Sequence, residues 1–207
     1  MAEDAHPEFS AERERVYLAV GKAISQWSKL EHAFASAFAL CLGAEQEVAN
    51  SVFFSARSFG GKIDMLSAAL NARAYVSSDS AKQMEVLRAA CKKAAIWSAA
   101  RNKLAHDRTA VYALGEQLIV GGLAPNAVLG NEMEPWLQKS MTRVAIDEVG
   151  TRFHALAEMI NIACSMNDTS FLEEMLERVR ALPHIPYTDT LESRITGGDQ
   201  PNPELLD

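Results

Sequence analysis

Apolar positions divide the chain into helical runs. From about Ser10 to Leu42, the residues Tyr17, Val20, Ile24, Trp27, Leu30, Phe34, Phe38 and Cys41 recur at spacings of three and four. That period follows one face of an α-helix, so one long amphipathic helix is expected here. Ser10, with Arg13 and Glu14 behind it, supplies an N-cap region, and Gly43 is placed to end the helix. A shorter helix is expected from about Glu45 to Arg57, broken at Gly60-Gly61. Helical spacing resumes from Lys62 to Tyr75 through Ile63, Leu66 and Leu70. Ser77-Ser78-Asp79-Ser80 reads as a turn that ends in a capping residue. The next helix carries Met84, Leu87, Cys91, Ile96 and Trp97 toward Leu104.

After that helix the pattern changes. Thr109 to Leu114, then Gly115-Glu116, then Gln117 to Val120 predicts a β-hairpin or an extended excursion. Gly121-Gly122 and Pro125-Asn126 are expected to open a loop reaching about Pro135, and Trp136 starts an extended or helical piece. Helical spacing returns from Ile146 through Val149, Phe153, Leu156, Met159, Ile160 and Ala163. Asp168 or Thr169 is expected to cap a final helix ending near Leu182. Beyond Pro183, the prolines, Gly197-Gly198 and the acidic end read as a mobile tail. The chain contains no internal repeat and no low-complexity tract. The fold class is therefore all-α: a helical bundle with a small β-hairpin or extended insertion after the fourth helical run. One domain over residues 1–182 holds that insertion at about 108–136, and residues 183–207 form the tail.

A chain of 207 residues can bury a substantial core as one domain. No apolar run approaches the roughly 18 residues that span a bilayer. The longest, Ala33 to Ala44, is bracketed by His32 and Glu45 and reads as a buried helix. Met1-Ala2-Glu3-Asp4 is acidic and lacks the basic and apolar regions of a signal peptide, so a cytoplasmic location is expected. Cys41, Cys91 and Cys164 are far apart and odd in number, with no Cys-x-x-Cys pair. Buried free thiols fit that spacing better than a zinc or redox site.

The formal net charge of −7 argues against a protein that coats nucleic acid by bulk electrostatics. Its distribution is uneven. Arg88, Lys92, Lys93, Arg101, Lys103 and Arg108 face a single acid, Asp107, between positions 88 and 108. A basic stripe on an acidic body suits an anionic ligand met at one place, or simply a solvated helix face.

Within that stripe lies Arg101-Asn102-Lys103-Leu104-Ala105-His106. Arginine clamps phosphate through a planar fork of donors, and histidine exchanges protons near neutral pH. On an ideal helix Arg101 and His106 point about 140° apart, whereas Asn102 and His106, at i and i+4, share a face. One helix does not aim both side chains at one atom. Either the helix frays at Asp107 or a second copy supplies the other half across a two-fold axis, and we favour the second copy. The bland alternative is that Arg101 and His106 cap the last carbonyls at the negative end of the helix dipole.

Arg101-Asn102-x-x-x-His106, late in a helix of an all-α bundle, resembles the R-x4-6-H signature of the HEPN superfamily. Ile24-x-x-Trp27-x-x-Leu30-Glu31, Phe59-Gly60-Gly61-Lys62-Ile63 and Trp97 extend the resemblance over about residues 15–165, toward uncharacterised bacterial members. The resemblance implies a dimerising helical bundle that brings two such segments together. It further implies a metal-independent ribonuclease of toxin, antiphage or RNA-processing systems, or a non-catalytic relative that binds a nucleotide, RNA or a protein partner. In the implied reaction an RNA 2′-hydroxyl attacks the adjacent phosphorus, and a 2′,3′-cyclic phosphate results. His106 acts as general base or acid, Arg101 steadies the phosphate, and Asn102 orients either one. No metal and no cofactor is expected. RNA, a second copy and an antitoxin protein are the expected partners, with no membrane among them. Lys103, Arg108 and Glu31 are candidate substrate-binding residues. Glu31 is expected either to reach Arg101 or His106, or to pair with solvent or Lys29. Arg57 and Lys62 are further candidates for guiding the RNA backbone. His32, His154, Trp27 and Trp97 are read as packing residues. Asp107 departs from the family pattern, where relatives often carry a small residue, and its charge would repel a phosphate.

Overall fold

A computed structural model describes residues 7–76, 80–114, 118–125, 140–183 and 185. Among them the chain forms helices α1 (Pro7–Leu42), α2 (Gln46–Phe53), α3 (Phe59–Val76), α4 (Ala81–His106), α5 (Arg143–Ser165) and α6 (Thr169–Ala181). Strands β1 (Arg108–Leu114) and β2 (Leu118–Ala124) follow α4, and β3 (Met141–Thr142) leads directly into α5. The all-α expectation with a small β insertion holds, and the sheet gains a short third strand that the sequence did not announce.

Local chemistry explains most of the boundaries. α1 is already helical at Pro7, the first described residue, so Ser10 lies inside it and does not cap it. Gly43, at φ 61, ends α1. The Gly43 N–H bonds to Leu40 O at 3.3 Å and the Ala44 N–H to Ala39 O at 3.2 Å, the paired bonds of a Schellman cap. α2 stops at Phe53, well before Gly60-Gly61. Those glycines lie in the first turn of α3, where Ser58 Oγ accepts from the Gly61 N–H at 3.1 Å; the serine, not the glycine pair, sets that boundary. Ser80 stands at the cap position of α4 without a side-chain cap bond, and the rest of the expected 77–80 turn lies outside the described residues. Thr142 and Asp168 cap α5 and α6 by accepting from Ala145 N and Phe171 N.

The Gly121-Gly122 loop expectation is overturned, because both residues lie within β2. Strand β2 pairs antiparallel with β1 from Arg108↔Ala124 to Leu114↔Leu118, and with β3 through Gly122↔Thr142 and Leu123↔Met141. The glycines are required by proximity. A Cβ on Gly122 would stand 2.4 Å from Met141 O, and one on Gly121 would stand 2.6 Å from Val16 Cγ2. The expected piece at Trp136 and most of the expected tail lie outside the described residues. Ile185 is an exception, since it is buried in the core.

α1 is the central helix. It runs parallel to α5, with Glu12 bonded to Arg143 near their starts, and antiparallel to α4, with Cys41 against Met84 and Trp27 facing Trp97 across Phe153. α6 lies on α4, where Lys82 pairs with Glu173 and Lys93 caps the C-terminus of α6 through Arg180 O and Leu182 O. Buried Gln83 does the same for α5, donating to Ala163 O at 2.7 Å and Met166 O at 3.2 Å. Both contacts satisfy helix-end carbonyls that have no partner within their own helix. The sheet covers the end of the bundle where α4 finishes and α1 and α5 begin, so Arg101 to His106 sits beside it.

Candidate functional site

Arg101, Asn102 and His106 occupy the last turns of α4. The helix is unbroken through His106. Asp107 leaves it in extended backbone (φ −76, ψ 151), and its N–H still bonds to Lys103 O at 2.9 Å. Arg108 then enters β1 immediately. An intact helix keeps the Arg101 and His106 directions about 140° apart and leaves Asn102 and His106 on one face. Exposure agrees: Asn102 and His106 are open to solvent, and Arg101 is half-buried.

The arginine nevertheless reaches across. Its Nη1 donates to Asn102 Oδ1 at 3.3 Å, which draws the guanidinium toward the Asn102–His106 face. Arg101 Nε is buried and has no hydrogen-bond partner among the described residues, and the same is true of Trp97 Nε1 one turn earlier. Two N–H donors on one side of one helix thus remain shielded from water without an acceptor, where leaving a donor unmatched costs about 1–3 kcal/mol. Asp107 contributes a buried acceptor, Oδ2, likewise without a partner. Burial holds the Asp107 carboxyl above the ordinary carboxylate range, against the opposing pull of Lys103 and His106.

Lys103 is half-buried and Arg108 exposed, both next to the motif in the chain. Glu31 is elsewhere. Its Oε1 accepts from Trp27 Nε1 at 2.6 Å and its Oε2 from Lys62 Nζ at 2.5 Å. The Lys62 ammonium also stands 4.7 Å from the Phe54 ring centroid. Trp27 and Trp97 both pack on Phe153 and mark one level of the antiparallel pair α1 and α4. From that level Glu31 lies one turn toward one end and Arg101 one turn toward the other, about 12 Å apart along the axis. Lys62 is therefore committed to a shielded ion pair, while Arg57 is exposed. No spacing in the sequence signals the Glu31–Lys62–Trp27 group, because its two charges come from different helices.

Part of the basic stripe also holds the fold together. Arg88 donates to Asn71 Oδ1 and Leu70 O, both at 3.2 Å, and Lys93 caps α6. Trp27 and Trp97 are core residues. His32 packs its ring 4.9 Å from Phe54, with Nδ1 2.8 Å from Ser28 O, and stays exposed. His154 is exposed and lines a groove between α1 and α5.

The three cysteines are free thiols, Cys41 and Cys91 buried and Cys164 partly so. Burial pushes Cys41 up to about 11 and Cys91 and Cys164 up to about 12, and Cys41 acts electrostatically on both of the others. Cys41 and Met84, remote in sequence, meet in the core, with Cys41 Sγ 3.9 Å from Met84 Sδ. Among the described residues, no group of three or more His, Cys, Asp or Glu is placed to hold a metal ion, and no helix is long and apolar enough to cross a membrane.

Fold and site together define a helical bundle with a small antiparallel sheet at one end and an Arg–Asn–His group beside it. No protein-family model, curated protein or solved structure matches the chain.

Proposed function

We propose that the protein is an HEPN-like, metal-independent endoribonuclease acting as a homodimer in the cytoplasm, as a toxin or antiphage effector. The observation that carries this reading is the end of α4, where exposed Asn102 and His106 share a face and Arg101 is bonded to Asn102. An arginine fork bonded to an exposed amide, with an imidazole on the amide's own face, supplies the groups a phosphodiester cleavage needs. His106 moves the proton of the attacking 2′-hydroxyl or of the leaving oxygen. Arg101 donates charge-assisted hydrogen bonds to the phosphate oxygens as charge develops there. Asn102 fixes the guanidinium relative to the imidazole. Since α4 does not fray before Asp107, a second copy completing the site across a two-fold axis is the simplest way to set arginine and histidine about one phosphate.

Purified protein and its His106→Ala variant, incubated with RNA in EDTA, test the reading. Cleavage by the wild type alone, leaving 2′,3′-cyclic phosphate ends, is the expected outcome. No cleavage by either protein across varied RNAs would sink it. One observation favours a second reading, a non-catalytic HEPN-like module that binds a nucleotide, RNA or a protein partner such as an antitoxin. The Asp107 carboxyl stands directly after His106 and would repel an incoming phosphate.

A further inference from the structure

The solvent face of α4 is a straight stripe. Arg88, Lys92, Ala95, Ala99, Asn102 and His106 follow one another at alternating spacings of four and three, which keeps them on one side of the helix. All but half-buried Arg88 are exposed. From Lys92 to His106 the stripe runs about 21 Å. Its middle carries only the methyl groups of Ala95 and Ala99, so nothing long obstructs it.

At the far end from His106, α4 and α6 enclose a groove of about 390 Å3, lined by Arg88, Lys92, Lys93 and Arg180 with Glu85 and the half-exposed Ile96. Ion pairing does not cancel its charge. Arg180 is matched by Glu85 and Glu177. Among the described residues, however, Arg88 and Lys93 bond only to neutral acceptors, an amide and backbone carbonyls. Lys92 is exposed with no ion pair among the described residues. Three positive charges therefore remain in one groove of a chain whose formal net charge is −7.

We infer that this face of α4 is a track for an extended RNA strand, and that the Arg88–Lys92–Lys93 groove holds a backbone phosphate several nucleotides from the one at His106. The identity of the ligand rests on the cleavage reading; the site itself does not include the cleavage residues. A groove of uncompensated cations in line with the imidazole binds backbone phosphates without reading base identity, as strand-tracking surfaces do. Ile96 offers an apolar seat to one base. The length of the track makes the substrate an oligonucleotide, not a dinucleotide.

The test measures binding of a labelled 12-nucleotide single-stranded RNA and of a trinucleotide to the full chain carrying His106→Ala, with Lys92→Glu added. Lys22→Glu on α1, the same charge change at an exposed site remote from the stripe, is the control. Lys92→Glu is expected to weaken binding of the 12-mer roughly five- to tenfold and lower its salt slope by about one, with the trinucleotide, too short to span the track, binding more weakly than the 12-mer throughout, and with no change from Lys22→Glu. Equal effects of the two reversals, or none from Lys92→Glu, would overturn the track. So would an acidic peptide bound with the same dependence on Lys92. A wild type that binds RNA through Lys92 without cleaving it refutes the nuclease and leaves the track standing. Cleavage of the 12-mer that ignores Lys92→Glu does the reverse.

Discussion

Asp107 is the residue at which burial and charge conflict most openly. Its Oδ2 is buried without a hydrogen-bond partner among the described residues, and desolvation, the largest influence on the carboxyl, raises its pKa, while Lys103 and His106 lower it. A folded-state value above the unfolded one means that the native state keeps this proton longer. Stability is therefore greater below that window and falls as pH rises from the unfolded value through the folded one. Above it, the ionised carboxylate works against folding. Asp107→Asn is accordingly expected to leave stability equal or higher at neutral pH and to flatten its decline across the weakly acidic range. Thermal melts of both proteins from pH 4 to 7 check this, and a variant less stable at neutral pH, with stability that rises less steeply with pH than the wild type's, would show that the ionised form is favoured. The identity of Asp107 was legible in the sequence as a charge beside His106. Its burial was not, because that depends on what packs against the end of α4.

At the scale of elements, the sheet depends on two glycines that the sequence pattern assigned to a loop. A Cβ on Gly122 would meet Met141 O at 2.4 Å, and backbone cannot move aside as a side chain can. Gly122→Ala should break the β2–β3 pairing and cost about 1–3 kcal/mol, the usual range for overpacking. The loss is read as a lowered denaturant midpoint, with faster hydrogen exchange at Met141 and Thr142; an unchanged midpoint would mean that the short strand carries no weight. The helices were legible where periodicity was long. The run from Tyr17 to Cys41 and the run from Ile146 to Ala163 each lie within one observed helix. Local chemistry that competes with periodicity was harder to read. Ser10 lies inside α1 and not at its cap, Ser58 started α3 ahead of the glycine pair, and a two-residue strand has no period at all. Long-range partners were beyond reach altogether. Nothing in the spacing of Glu31 and Lys62 announces a shared ion pair, nor does the separation of Cys41 from Met84 announce their contact in the core.

At the scale of the whole molecule, the question is how many chains make one site. Within one chain the Arg101 guanidinium bonds to Asn102, but α4 stays helical through His106, so the arginine and histidine leave the helix in different directions. A site that takes its arginine from one copy and its histidine from the other would relieve that conflict. Arg101→Ala and His106→Ala homodimers should each be inactive. In a mixed dimer, one composite site loses both groups while the other regains both. Random exchange of subunits gives half mixed dimers, each with one intact site of two, so mixing the inactive proteins should restore about a quarter of wild-type cleavage. A site built within one chain predicts no recovery, because every chain in the mixture lacks one of the two groups. If the wild type cleaves and the mixture stays inactive after subunit exchange, the two side chains must converge from a single copy. The end of α4 would then have to unwind when RNA binds, and Asp107, at the point where the helix gives way to β1, would be its hinge.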